Sequence, residues 1–322
     1  EFYKRVLSAA WRYKWASKNK RIAHRFDLLE LNYVYMPWIS GKFKEQYLDS
    51  LGKSNAILKY NYENLLITKL GYTYTYNSSG STAAYGRNAL SVKANIETSG
   101  NILSAITKLS GDERNSAGQY TFCGIAYAQY VKGDLEVTKS IRIDRNNSIA
   151  LHANVGVAYP YGNSRILPFE KRYFSGGANS VRGWSVRSLG PGAYNGYDSG
   201  INFINQSGDI KLDLNFEYRA RLFWKFSGAF FIDAGNIWTI FDYEAQPNGH
   251  FKWTEFYKQI ALAYGIGLRL DFSFFVFRVD FGVKLYDPAR LYDGSHSEWR
   301  TVPNGLNWKD DMAFHFAIGY PF

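Results

Sequence analysis

The sequence predicts an all-β fold, a transmembrane antiparallel β-barrel with a polar lumen. The first observation is residues 211–222, KLDLNFEYRARL, in which polar and apolar residues alternate without a break. Alternate side chains of an extended chain point to opposite faces of a sheet, so this segment has one apolar and one charged face. A single such strand also occurs in soluble proteins. Here the pattern recurs along the whole chain, with aromatic residues at both ends of many apolar faces, which is typical of a membrane-spanning barrel.

Composition favours the same fold class. Of the 322 residues, 18% are aromatic, which is high for a soluble all-β protein. The mean hydropathy is −0.32, and the chain has no run of about 18–20 uncharged apolar residues, so a helical membrane protein is excluded. Tyr and Trp rings are favoured at the headgroup level of a bilayer. A single large β-structure in a membrane therefore explains the aromatic content.

The alternation and the turn residues between strands predict about eleven strands. In chain order they are Tyr3–Trp15, His24–Met36, Tyr60–Asn77, Asn88–Ser99, Tyr120–Asp144, Ile149–Tyr159, Asp209–Leu222, Phe223–Trp238, Gln259–Phe272, Phe275–Tyr286 and Met312–Phe322. Pro37 is expected to end the second strand, since proline cannot donate to a ladder. A change of phase near Val131–Gly133 predicts a bulge in the fifth strand. Irregular stretches at 41–52 and 100–118 are expected to hold short helices, and residues 160–205 form a Gly-rich loop.

The net charge of +10 is spread along the chain rather than gathered in a tail. No basic helix or recognisable nucleic-acid-binding motif accompanies it, so we expect no nucleic-acid partner. Cations that line a lumen, or that contact anionic headgroups of outer-membrane lipids, explain the charge.

The sequence gives weak signals for catalysis or cofactor binding. The single cysteine, Cys123, excludes an internal disulfide framework and a cysteine-based metal cluster. The five histidines lack metal-ligand spacing, and no G-x-S-x-G elbow is present. Ser180 beside a Gly-rich turn is explained by turn chemistry. The sequence therefore predicts no enzyme activity, no cofactor and no metal site.

Three segments depart from the simple alternation. The long loop contains SVRGW, with Val181, Arg182, Gly183 and Trp184; residues 230–238 are FFIDAGNIW; and the chain ends in FHFAIGYPF. In this order and spacing they resemble the lumen-loop signature, the thirteenth-strand segment and the C-terminal β-signal of the BamA/TamA family of outer-membrane protein assembly barrels. The SLGPG at 188–192 resembles the TamA-like branch more closely. Trp184 stands where the family usually has Phe or Tyr.

The resemblance implies roles for particular residues. In the family the loop folds back into the lumen, and its arginine meets acidic residues on the twelfth and thirteenth strands. Here Arg182 would meet Glu217 and Asp233. The alternation agrees, because both carboxylates fall on the inward, polar phase of their strands. From the residues alone, a solvated Arg182 and two carboxylates lining a wet pore remain an alternative.

The resemblance also implies a larger protein. The family barrel has sixteen strands, and the five strands that follow the long loop match its C-terminal part. Only about six strands precede the loop, where eleven are expected. Residues 1–322 are thus expected to form the C-terminal part of the barrel, with upstream strands and periplasmic POTRA domains outside them. The absence of a signal sequence before Glu1 agrees with a processed or partial chain. A shorter, complete barrel is the competing interpretation.

The implied function is the assembly and insertion of outer-membrane proteins through a lateral seam in the bacterial outer membrane. The expected partners are outer-membrane lipids, nascent outer-membrane proteins, and assembly partners in the periplasm or inner membrane. The large alternate residues of the last strand are expected to face lipid, whereas its glycine and proline weaken backbone pairing. The residues assigned to this seam are Phe314, Phe316, Ile318, Gly319, Tyr320, Pro321 and Phe322.

Other functions remain open at this point. They are a two-partner-secretion-type translocator, a passive porin or transporter, and an outer-membrane lipase or a barrel with an upstream enzyme domain.

Overall fold

The computed structural model describes residues 2–45, 55–79, 88–111, 114–115, 118–196, 202–272, 274–292, 298–301 and 306–322. In this part of the chain, thirteen strands form one sheet. The main path of the sheet runs in the order β1-β2-β3-β4-β7-β8-β9-β10-β11-β12-β13. The strands are β1 Phe2–Ala16, β2 Ile22–Ile39, β3 Leu65–Asn77, β4 Ala89–Ser99, β5 Thr121–Phe122, β6 Ile125–Tyr127, β7 Tyr130–Arg142, β8 Asn147–Pro160, β9 Ile210–Arg221, β10 Phe226–Trp238, β11 Ala261–Asp271, β12 Val276–Tyr286 and β13 Met312–Ile318.

On β9 and β10, charged side chains are buried and apolar side chains beside them are exposed. On β9, Asp213 and Glu217 are buried while Leu214 is exposed. On β10, Asp233 is buried, and the preceding residue, Ile232, is exposed. This burial is the reverse of a soluble sheet and suits strands with hydrocarbon outside and a polar interior. The predicted all-β transmembrane barrel is confirmed.

Short and long connections lie at opposite ends of the strands. Four turns are short, at residues 17–21, 143–146, 222–225 and 272–275. The connections at the other end are longer, at residues 40–64, 100–129, 161–209, 239–260 and 287–311. Outer-membrane barrels have short periplasmic turns and long extracellular loops, which orients the sheet.

Among the described residues, four α-helices lie in the long connections, α1 Gly41–Phe43, α2 Ala56–Asn61, α3 Asn101–Leu109 and α4 Asn202–Asn205. Both predicted irregular stretches thus contain a helix, although residues 46–52 of the first and 112–113 and 116–117 of the second lie outside the described residues. None of the helices in the described ranges is long and apolar enough to cross a membrane.

The predicted end of β2 and the predicted start of β3 were wrong. Pro37 does not end β2, which continues to Ile39. A register shift in the pairing with β1, opposite Lys4, places the proline where no N–H donor is required. The predicted strand from Tyr60 begins as a helix, α2, and the strand itself begins at Leu65.

The predicted strand 120–144 is interrupted, and its expected bulge is absent. The ladders of β7 with β4 and β8 pass through Val131–Gly133 without a register shift. The change of phase arises upstream, where β5 and β6 form a small hairpin and β6 pairs in parallel with the start of β3. Cys123 and Gly124 make the hairpin turn with φ values of 51° and 77°.

The connection 161–209 packs on the inner face of the sheet. Its Leu167 and Tyr173 belong to a buried cluster with inward-facing residues of five strands, Val34, Leu65, Ile67, Tyr130, Ala158 and Ile237, together with Ala128. Lys4 of β1 forms an ion pair with Glu170 of the same loop. Because β1, β2, β3, β7, β8 and β10 all contact this loop, the sheet must curl around it.

Candidate functional site: the lumen loop and its ion network

The VRGW segment is fixed by local turns. Gly176 and Gly177 have φ values of 92° and 97°, which favour glycine. The N–H of Gly177 donates to the carbonyl of Trp184 at 2.9 Å, and the N–H of Trp184 donates to that of Val181 at 3.2 Å. Val181 and Trp184 are buried with Leu189 against Ala261 and Ala263 of β11. These two apolar side chains hold the intervening Arg182 against the strand wall.

Arg182 is fully buried between two carboxylates. Its Nη1 donates to Glu217 Oε2 at 2.5 Å, its Nη2 to Asp233 Oδ1 at 2.9 Å, and its Nε to Asp233 Oδ2 at 2.8 Å. Its backbone N–H also donates to Asp233 Oδ2 at 3.0 Å. The guanidinium carbon lies 3.6 Å from the ring centroid of Phe231, a cation–π contact. The structure therefore brings together the three residues that the resemblance implied.

The ion network extends over β9, β11 and β12. Glu217 also accepts from Arg219 at 2.7 Å and from Arg269 at 3.1 Å. Arg269 donates in turn to Asp280 Oδ1 at 2.6 Å. Burying a charge is costly unless it is paired and hydrogen-bonded, and each of these carboxylates has at least one arginine partner.

Ser180 and Asn215 connect the loop backbone to the network. Ser180 Oγ donates to Asp213 Oδ1 at 3.0 Å, and Asn215 Nδ2 donates both to the Ser180 carbonyl and to Asp233 Oδ1 at 2.8 Å. Ser180 thus serves the turn and its docking, as expected.

Two glycines allow the loop to approach the wall closely. A Cβ on Gly183 would lie 2.8 Å from Ala263 Cβ. A Cβ on Gly282 of β12 would lie 2.0 Å from the Arg182 carbonyl oxygen. That carbonyl instead faces His315 Nε2 of β13 at 3.0 Å, so the loop also contacts the last strand. The groups named here hold the loop in place. Within the described ranges, no group of three or more His, Cys, Asp or Glu side chains is placed to hold a metal ion.

The C-terminal residues leave the lipid face. Phe314, Phe316 and Ile318 point outward, as expected, and are exposed. At Gly319 the backbone takes φ 90°, and the following residues turn into the barrel. The expectation that Tyr320 and Phe322 face lipid was therefore wrong.

Both aromatic residues of the tail contact arginines. The Arg219 guanidinium carbon lies 4.8 Å from the Tyr320 ring centroid. Phe322 stacks on His152 with centroids 4.9 Å apart and lies 5.8 Å from the Arg182 guanidinium. Pro321 between them is buried. The positive φ at Gly319 breaks the alternation, and cation–π attraction then holds the tail inside the barrel.

The model of the Omp85 superfamily domain matches residues 40–322. The chain belongs to the Omp85 superfamily. Because this family consists of outer-membrane barrels, the predicted outer-membrane location is confirmed along with the superfamily. The assignment to the TamA-like branch stays a prediction.

A curated relative is similar over part of the sequence. The chain is 29% identical over 119 residues to the outer membrane protein assembly factor BamA of Neisseria meningitidis serogroup B. That match covers 34% of this chain and 14% of the Neisseria protein.

A solved structure shares the fold of this chain. BamA from Haemophilus ducreyi lacking POTRA domains 1–3 matches 99% of this chain and 55% of that chain, with a TM-score of 0.60 and 12% identity. CdiB from Acinetobacter baumannii matches 98% of this chain and 42% of that chain, with a TM-score of 0.49 and 13% identity. The chain thus spans only part of each of these relatives.

Sequence reasoning missed several members of this Omp85 site. Arg269, Arg278 and Asp280 lie on the inward phase of β11 and β12, so their direction was visible in the alternation. Their partners were not visible, because the pairing depends on the register between strands. His315 lies on the inward phase of β13 within FHFAIGYPF, but its contact with the Arg182 carbonyl depends on where the distant loop docks.

Proposed function

We propose that this chain is the barrel region of a factor that helps nascent outer-membrane β-barrel proteins fold and insert through a lateral seam. It would work without covalent chemistry, ATP or a cofactor. The superfamily and the barrel fold support an assembly or translocation role, and the Neisseria relative is named as an outer membrane protein assembly factor. Lipids and nascent barrel proteins are the partners proposed for it, together with assembly partners in the periplasm or inner membrane.

The observation that supports the seam best is the short ladder of β13. It pairs with β12 only from Met312 to Ile318, after which Gly319 directs the chain inward. A strand edge with unpaired N–H and C=O groups is a template for another strand. Because the ladder with β12 is short and the chain then turns inward, we place the entry of a substrate strand at the edge of β13 that faces away from β12.

The edge of β13 that pairs with β12 and the inner face of the strand are held in place. Its ladder with β12 has seven paired positions, and His315 contacts the Arg182 carbonyl. The lumen loop thus holds β13 on the side of β9–β12 and leaves the opposite edge available. A seam of this kind opens without unfolding the wall behind it.

We place the missing part of the barrel upstream. The proposed complete barrel has sixteen strands, of which roughly five, together with POTRA domains, precede Phe2. The seam then lies between β13 and the first strand of that complete barrel.

A crosslink across the seam tests the proposal. In the full-length protein, with Cys123→Ser, one cysteine replaces Ala317 and another replaces the facing residue of the first barrel strand. We expect the locked protein to lose its ability to accelerate the folding of a small barrel protein into vesicles, and reduction to restore it. The matched control is Ile232→Cys with Tyr264→Cys, a facing pair on β10 and β11, which should remain active when locked. Full activity of the seam-locked protein would refute the seam.

The same experiment separates a translocator from an assembly factor. The loop lies in the lumen and fills the part of it next to β9–β13, which disfavours a passive porin. A translocator moves its substrate through the lumen, so it would keep its activity with the seam locked. It would lose activity when a short crosslinker joins Asn179 of the loop to Arg278 of β12, whose side chains are 2.7 Å apart.

A further inference from the structure

Helix α3 is fixed to the outer wall of the barrel at its extracellular end. Gly100, with φ 77°, connects β4 to the helix, and a Cβ there would lie 2.3 Å from the Ala128 carbonyl oxygen. Ser99 Oγ donates to that same carbonyl at 3.1 Å. Further along, the hydroxyls of Thr107 and Tyr127 are 3.0 Å apart. The helix therefore has a defined orientation toward the wall.

The three faces of α3 have different chemistry. With 3.6 residues per turn, Leu103, Ser104 and Thr107 share one face, and this face is buried against the barrel. Ile102, Ile106 and Leu109, at positions i, i+4 and i+7, share the opposite face, and they are 60%, 43% and 89% exposed. Lys108 lies on an exposed edge of the helix, between the buried face and the aliphatic face.

This distribution is the same reversal that the strands show. Two of the three side chains that α3 turns to the protein are hydroxylated, while the side chains that it turns outward are aliphatic. A helix with this arrangement in water would expose its best hydrophobic residues and bury its polar ones. In hydrocarbon the arrangement is favourable, because the aliphatic stripe contacts acyl chains.

An apolar cavity of about 270 Å³ lies between α3 and the wall. Its lining includes Leu31 and Leu70 from the strands and Ile102 and Leu103 from the helix. Leu28 and Leu29 both contribute as well, since a register shift between Asp27 and Glu30 turns two consecutive leucines outward. The cavity is thus continuous with the exposed leucines of the lipid-facing surface.

We propose that α3 lies in the outer leaflet of the membrane and that the cavity beneath it binds an acyl chain of a membrane lipid. Continuity with the lipid-facing surface of an outer-membrane barrel identifies the occupant as lipid. The location at the long-loop end of the strands identifies the leaflet. Lys108 on the third edge suits the anionic headgroup region, where amphipathic helices place their cations. This lipid site is independent of the seam.

The depth of α3 can be measured by fluorescence quenching. In the full-length protein with Cys123→Ser, single cysteines at Ile106 and, as a control, at Lys108 receive an environment-sensitive nitrobenzoxadiazole label. Vesicles of phosphatidylethanolamine and phosphatidylglycerol carry either normal or dibrominated acyl chains. We expect bromine to quench the label at residue 106 about threefold more than at residue 108, since such a face lies about 5–10 Å into the headgroup–acyl boundary. Equal quenching, or protection of residue 106 without quenching by lipid, would overturn the proposal.

The cavity can be tested by filling it. Native mass spectrometry counts the lipids retained by the purified protein. Leu70→Trp should reduce that count, whereas Leu135→Trp, on an exposed outward site of β7 outside the cavity lining, should not. Heat-dependent mobility on gels verifies that each variant has folded. Unchanged lipid retention in folded Leu70→Trp would exclude the cavity as a binding site. Neither readout uses assembly activity, so the lipid site and the proposed function succeed or fail separately.

Discussion

Two walls of the barrel carry ion networks on their inner faces, and the networks differ in their exposure to water. In the wall of β9–β13, Arg182, Glu217, Asp233 and Asp280 are all fully buried. In the wall of β1–β4, Lys69 lies 3.1 Å from both Asp27 and Glu30, and Arg12 lies 2.8 Å from Glu30. The Arg12 side chain is 43% exposed.

The VRGW segment of the lumen loop buries the first of these networks. It covers the inner face of β9–β13 with Val181, Arg182 and Trp184, which exclude water from the charges beneath them. The strands of both walls have the same alternation of polar and apolar residues. Strands with the same sequence pattern therefore carry a fully buried ion network beneath VRGW and, on β1–β4, a network that is buried at Asp27 and Lys69 and partly exposed at Arg12. The four predictions below test this comparison by unfolding the protein in vesicles or detergent.

The largest effect is expected from Arg182→Ala. Removing one partner of a buried ion network leaves its carboxylates uncompensated, which costs on the order of 3–5 kcal/mol. The loop should then become sensitive to protease while the barrel remains in the membrane. The variant Arg182→Ala with Asp233→Asn should recover part of the loss, since one of the stranded charges is gone. A stability equal to that of the wild type would show that the network is not dry.

Ile232→Arg should come next, because it places a charge on the outer face of the same wall. Ile232 faces outward near the middle of β10, and an arginine at the bilayer midplane costs about 2–4 kcal/mol. The control is Leu222→Arg at the short-turn end, where the cost falls to about 0–1 kcal/mol. If both variants lost the same stability, the outer face would not be a membrane surface with a depth profile.

Gly282→Ala tests the close docking of the loop. The added Cβ would lie 2.0 Å from the Arg182 carbonyl oxygen, and overpacking of this kind costs about 1–3 kcal/mol. Gly228→Ala on β10 is the matched control, because its Cβ meets only the Leu222 side chain at 3.5 Å. The control should change stability by at most about 1 kcal/mol. Identical behaviour of the two glycines would contradict the docking.

Arg12→Ala should have the smallest effect. Its ion pairs with Asp27 and Glu30 are partly solvated, and exposed pairs are worth about 0.2–1 kcal/mol. The loss should also shrink as salt is raised, since screening weakens exposed pairs. A loss as large as that of Arg182→Ala would remove the distinction between the two walls.

Much of the fold was predictable because the period of two is a local property. The inward phase of Glu217 and Asp233 and the outward phase of Phe314, Phe316 and Ile318 follow from it directly. The errors arose where local pattern gave way to contacts distant in sequence. Pro37 was placed at a strand end, whereas a shift in pairing with β1 accommodates it inside β2.

The tail gives a second example of this limit. From Phe314 to Phe322 the alternation is unbroken in sequence, yet the chain turns inward at Gly319. His152 of β8 and Arg219 of β9 contact the tail, and both lie more than a hundred residues upstream. Nothing within the last strand indicates their position.

The sequence by itself determined the fold class, the face of each strand that meets lipid, and the loop motif centred on Arg182. Alternation and composition suffice for these, because a strand exposes its two faces whatever its neighbours are. Only the tertiary structure decided which charges lie under the loop, that Arg269 and Asp280 join the network, and that α3 rests on the outer wall over a cavity. These features depend on the register between strands and on water excluded by a distant segment, and both are properties of the assembled barrel rather than of any one strand.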